Sequence, residues 1–139
     1  MATLESRLAS LITALGDDFK LGTFPIPFSA QGALTARTGK SFVKMLGSGL
    51  IVAVDGWLDT VPTGATTFKA DVNLNATTIY GSQANRPIWV ASANEPTVGA
   101  HSVTTYSDGD RLSVDIDEVG STIAGSDLTM TVWCLRTGN

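Results

Sequence analysis

The residues best spaced for chemistry are the aspartates of "DIDE", Asp115 and Asp117. On a strand, side chains two positions apart point to the same face. Paired carboxylates can share acid and base roles in glycoside hydrolysis, or ligate a cation. Calcium, however, wants about six to eight oxygens, usually from a loop that wraps the ion. The neighbouring "SDGD", Ser107 to Asp110, does not complete such a run. Hydrolysis needs a cleft that desolvates one carboxyl and raises its pKa, whereas an alternating strand offers a wet face. Arg111 shares the parity of both aspartates. A solvated strand face with an internal ion pair is therefore expected.

Other chemical motifs are weaker. Cys134 and His101 are the only cysteine and histidine, which excludes an intramolecular disulfide and a Cys/His zinc set within one chain. Cys134 lies in the alternating "LTMTVWCLR" and reads as a small buried apolar residue. "RTGKS", Arg37 to Ser41, ends like a phosphate-binding loop, but the position that should hold the first glycine is Leu34. The run "SFVKMLGSGLIVAV" reads as strand, without the helix N-terminus that would face a phosphate. A turn is expected there. "NAT", Asn75 to Thr77, fits a glycosylation sequon. The N-terminus lacks the basic start and apolar core of a signal peptide, so a chance match is expected. No metal or cofactor is expected.

Three tryptophans remain. Trp57 and Trp89 fall near strand ends, where exposed rings could stack on sugars. Trp133 has the parity of Thr129 and Thr131, opposite Leu128, Met130 and Val132. It is expected on the outer face of its strand, and an exposed tryptophan implies a ligand or a neighbouring subunit. The subunit is the favoured reading.

These residues must be carried by a chain of 139 residues, 43% hydrophobic, with net charge -4. That length suits one domain with a real core. The negative charge argues against nucleic acid and anionic membranes as partners. From Glu95 to Asp127 the only basic residue is Arg111. The longest apolar stretch, "GLIVAVDGWL", is broken by Asp55 and reads as a strand.

Residues 1–22 differ from the rest. Leu4, Leu8, Leu11 and Leu15 repeat at coiled-coil spacing, and Ile12 and Phe19 widen the stripe. Thr3 is the expected N-cap, Glu5 sits in the first turn, and Gly16 is the expected C-cap. An isolated helix of about a dozen residues is marginal in water. It needs either the domain's own sheet or copies of itself, and the terminal position favours copies. An extended linker is expected over 23–32, because Pro25 and Pro27 cannot join a central ladder.

From residue 33 the text is β throughout. Short runs rich in β-branched and aromatic residues alternate with glycine-containing turns such as Pro62-Thr63-Gly64 and Ala124-Gly125-Ser126. The expected fold is mainly β, an antiparallel sandwich over 23–139 preceded by a short α-helix. A jelly roll leads, with an immunoglobulin-like sandwich still open. In "TFKADVNLNATTIYGSQANRP", Phe68, Ala70 and Val72 form the expected core face. Lys69, Asp71 and Asn73 form its wet side, and Asn73 to Ala76 the turn.

Several motifs together resemble a β-sandwich module of tailed bacteriophages, found in minor tail proteins, tail fibres and virion-surface appendages. They are P-T-G-A (Pro62 to Ala65), D-V-N-x-N (Asp71 to Asn75), N-R-P (Asn85 to Pro87), D-G-D (Asp108 to Asp110), L-x-V-D-x-D-x-V-G-S (Leu112 to Ser121) and A-G-S-D-L-T (Ala124 to Thr129). The opening "LESRLASLITALGDDFK" is similar to the helical segment that often precedes such modules. The resemblance spans roughly residues 49–136 plus the helix. It departs at Ala76, where the family hairpin carries glycine, so a longer turn or one of another type is expected.

The resemblance implies a non-enzymatic structural protein on the virion exterior, made in the bacterial host cytoplasm. It implies a homotrimer whose helices, through Leu4, Leu8, Leu11 and Leu15, bundle on the axis or plug into other virion proteins. A tail-tip, tail-fibre or capsid-decoration position would fit, with host-surface carbohydrate as a further partner. The alternative is a carbohydrate-binding module without a structural virion role. Trp57, Trp89 and Trp133 are its candidate contacts.

Overall fold

The computed structural model describes residues 3–17, 22–39 and 42–138. Helix α1 (Leu4–Asp17) begins as the sequence predicts. Thr3 Oγ1 accepts the Ser6 amide at 3.1 Å, and the Thr3 carbonyl accepts the Arg7 amide. The hydroxyl satisfies one of the orphan amides of the first turn. The helix runs through Gly16, so that residue is not its cap. Residues 3–10 are all exposed, Leu4 and Leu8 included. The side chains of Leu11 and Leu15 lie outside the described residues.

The remainder is one long hairpin rolled up. Its strands are β1 (Thr23–Ala33), β2 (Phe42–Lys44), β3 (Ser48–Thr60), β4 (Phe68–Leu74), β5 (Thr77–Thr78), β6 (Ile88–Trp89), β7 (Thr105–Tyr106), β8 (Arg111–Glu118) and β9 (Ser126–Gly138). Antiparallel pairs nest about the turn after β4: β4 with β5, β3 with β7, β2 with β8, β1 with β9. Successive pairs fall in alternate sheets. The first sheet has the order β1-β9-β3-β7, and the second β2-β8-β4-β5, with β6 also on β4. This nesting is a jelly roll, which decides against the immunoglobulin-like alternative.

The expected linker at 23–32 is instead the first strand. Thr23 to Ala30 pair with Leu135 to Leu128. Pro25 and Pro27 are tolerated because β1 is an edge strand, where a missing N–H can face away from the ladder. They also blunt that edge against pairing with another chain. Residues 34–37, expected to be β, instead form no strand and join the second sheet through the Arg37–Ile116 bridge.

The core lies between the sheets. Phe68, Ala70, Val72, Leu112 and Ile116 face Leu58, Met130, Val132 and Cys134, all buried. Trp89 is fully buried and corrects the expectation of an exposed ring. It meets Phe68 edge to face at 5.2 Å between centroids, and its Nε1 donates to the Asn94 carbonyl at 2.8 Å. Its indole also fixes residue 56 as glycine. A Cβ at Gly56 would lie 2.7 Å from Trp89 Cζ2.

The β4–β5 turn has two residues, not the longer or different turn expected. Asn75 and Ala76 have φ of 54° and 65°, the left-handed pair of a type I′ hairpin. Alanine is held there from outside the turn. Asn75 N donates to the Arg111 carbonyl, Asn75 Oδ1 accepts the Arg111 amide, and Asn75 Nδ2 donates to Asp110. Asn73, expected in the turn, is a strand residue opposite Thr78.

Candidate functional site

The paired carboxylates sit on the outer face of the second sheet, where Asp71 lies directly opposite Asp115. Asp117 on that face is exposed, as expected, but the β4 side of it is covered. Asp71 is 4% exposed and Asn73 6%, which corrects the expected solvent side of β4. Thr78 Oγ1 donates to Asp71 Oδ1 at 2.7 Å. Arg86 reaches over the same carboxylate at 3.3 Å and also binds Asp117. The expected partner, Arg111, lies instead over the Phe42 ring, 5.1 Å from its centroid. Asp115 Oδ1 accepts the Gly39 amide. Lys40 and Ser41 of "RTGKS" lie outside the described residues.

Burial pushes the Asp71 carboxyl up, opposed by the Thr78 hydroxyl and by Arg86. Burial likewise pushes the Tyr80 phenol up, with the Asp71 charge adding to it. This is a partly buried ion network between two carboxylates and one guanidinium, with Asp117 at its exposed end. Its geometry ties the 78–86 segment down on β4 and β8. Asn73 Nδ2, Tyr80 Oη and Arg86 Nε, all buried here, have no hydrogen-bond partner among the described residues. Among the described residues, no group of three or more His, Cys, Asp or Glu side chains could hold a metal ion.

Hollows open elsewhere among the described residues. One of about 700 Å³ lies between the β1 edge and β2, lined by Phe28, Arg37, Phe42, Val43, Val114 and Leu128 among others. Another of about 520 Å³ runs beside β3, lined in part by Val52, Val98, His101 and Thr104. Neither receives Asp71, Asp115 or Asp117. His101 Nε2 lies 2.9 Å from the Ile51 carbonyl. Cys134 is buried, and burial pushes its thiol up to about 11. A nucleophilic thiol needs a depressed pKa, so this environment works in the opposite direction.

The open surface is the outer face of the first sheet. Its ladder places side chains in rows across β1, β9 and β3: Thr23–Leu135–Leu50, Pro25–Trp133–Ala53, Pro27–Thr131–Asp55 and Ser29–Thr129–Trp57. Trp133 is on the outer face, as its parity predicts, 36% exposed, and Trp57 is 44% exposed. Trp57 Nε1 donates to Asp59 Oδ1 at 3.0 Å, which orients the ring. The two rings are separated by four residues along the strands, ~13 Å. They therefore do not form one stacking platform, and Trp89 does not join them.

No sequence signal placed Arg86 on Asp71. The two are 15 positions apart and meet only because β5 and β6 return along β4. No helix among the described residues is long and apolar enough to cross a membrane. Comparison of the chain with protein-family models, curated proteins and solved structures returned no match.

Proposed function

We propose that this chain is a structural, non-enzymatic protein of a bacteriophage virion, exposed on the particle as a tail-tip, tail-fibre or capsid-decoration component. It assembles as a homotrimer through its N-terminal helices. The observation that carries this reading is the helix: Leu4 is 81% and Leu8 53% exposed on a capped α1 at the head of a jelly roll. Leucines exposed at that spacing favour other copies or other virion proteins as their cover. The jelly roll adds support by analogy alone, since it serves viral capsid and lectin domains and does not fix function. Many copies would turn weak surface contacts into avidity.

The test is the mass of the full chain by sedimentation, with and without Leu8→Asp and Leu11→Asp, beside immunogold labelling of purified particles. Wild type should be trimeric and the double variant monomeric with an unchanged sandwich melt. A monomeric wild type with an intact helix would sink the assembly claim. Particles that carry no label would sink the virion claim.

A second reading, a carbohydrate-binding module, rests on Trp57 alone. Its exposed indole is oriented by Asp59 beside the hydroxyls of Ser29 and Thr129. Trp57→Ala should then abolish retention on host cell-wall glycan while the fold stays intact. Undiminished retention would exclude Trp57 as the contact.

A further inference from the structure

The outer face of the first sheet is divided along its length. At the end where β1 starts, the rows Thr23–Leu135–Leu50 and Pro25–Trp133–Ala53 carry no charge. Leu50, Pro25 and Trp133 are exposed there. Leu46, also exposed, lies at the same end, where its carbonyl accepts Arg136. One row further on, Asp55 ends the uncharged area.

We infer that this helix-proximal apolar area is the second half of the self-association surface, covered by another copy of the same chain. The inference rests on the helix-mediated assembly proposed above. Chain reach makes the connection. Only residues 18–22 separate the end of α1 from Thr23, and five residues span at most ~17 Å. If helices of several copies meet, the Thr23–Leu135–Leu50 end of each sandwich is held close to their shared axis.

Area and charge favour the same occupant. α1 has 14 residues, ~21 Å of helix. A stripe of that length is small beside the ~800 Å² per partner of a standard interface. An adjoining apolar surface supplies the remainder. On a chain of net charge -4, contact through these uncharged rows, bordered by the exposed Arg136, brings no two carboxylates together at the seam.

The test uses the full chain in three variants, Leu50→Asp, Trp133→Ser and Trp57→Ser, next to Leu8→Asp. Association is read by sedimentation, and folding by the thermal melt. Hydroxyl-radical footprinting of the wild type gives a readout that needs no substitution. Leu50→Asp and Trp133→Ser should weaken association tenfold or more at an unchanged melt, and Trp57→Ser should not. Trp133 should be protected from oxidation relative to Trp57, and lose that protection on dilution.

If Leu8→Asp dissociates the assembly while Leu50→Asp and Trp133→Ser leave it intact, the inference is overturned and the helix reading stands. If Leu50→Asp dissociates it and Leu8→Asp does not, the sheet surface is the interface and the helix reading fails. A monomeric wild type with Trp133 oxidised as fast as Trp57 overturns both.

Discussion

The two sheets share one core, but their outer faces are built in opposite ways. The first leaves Trp133, Thr131 and Trp57 in view along β9 and β3. The second hides Asp71 and Asn73 beneath Thr78, Tyr80 and Arg86. Both strands alternate in sequence, and in both the alternation picks out the core side. What meets the other side is decided by the connections. After β5 the chain turns back over β4 and contributes β6 to the same sheet, carrying Arg86 with it. Alternation alone does not distinguish an open face from a covered one.

The tryptophans offer the sharpest break of this comparison. Trp89→Ala empties a core site between the sheets and removes the indole's bond to the Asn94 carbonyl, which keeps the Leu58 amide, and should cost about 4 kcal/mol. Trp57→Ala on the open face should change stability by no more than ~0.5 kcal/mol. Chemical denaturation of both variants checks the pair. Equal losses would mean that the open face is covered in the free chain.

The helix, its Thr3 cap, the antiparallel sandwich and the parity of Trp133 were legible because they depend on local period and composition, whereas the nesting that makes the sandwich a jelly roll depends on the order of strands in both sheets. Three further features were not. β1 was hidden by Pro25 and Pro27, whose cost vanishes at an edge, and edge position is a property of the whole sheet. Trp89 lies beside Pro87 and Val90 in a short run that looks like a strand end. Its burial depends on Gly56, 33 positions earlier, leaving room for the indole. Asp71 and Arg86 met through topology for the same reason.

Arg86→Met probes the covered face directly. It leaves Asp71 buried without its cation, and should cost about 3 kcal/mol at neutral pH. The pH dependence follows from the sign of the shift. Asp71 lies above its ordinary 3.8 in the folded chain, so the native state holds its proton longer than the unfolded chain does. Between those two values stability from this group falls as pH rises. Removing Arg86 takes away a lowering influence and extends that fall to higher pH. Asp110, lowered by the Asn75 amide and the Ser107 N–H, acts in the other direction and loses stability as pH falls through its folded value. Urea midpoints for wild type and Arg86→Met should therefore converge in acid and separate as pH rises. A constant separation would show that Asp71 stays ionised throughout.

The smallest expected effect is a gain, at the turn that closes the covered sheet. Ala76 holds φ at 65°, where an L side chain costs roughly 1–2 kcal/mol. Glycine removes that cost but gives the unfolded chain more freedom, so Ala76→Gly should stabilise by a net of about 0.5–1 kcal/mol. For a domain of this size that is a rise of ~3 °C in Tm. The gain depends on Asn75, whose bonds to Asp110 and Arg111 hold the turn to the start of β8. With Asn75→Ala the anchor is lost, and the same glycine should no longer recover the wild-type melt. Hydrogen exchange at the Ile79 amide, which donates to Val72 across the hairpin, reads the turn locally. It should slow in Ala76→Gly. If it quickens, the alanine methyl is held favourably against its surroundings, and the positive φ is not where this hairpin stores strain.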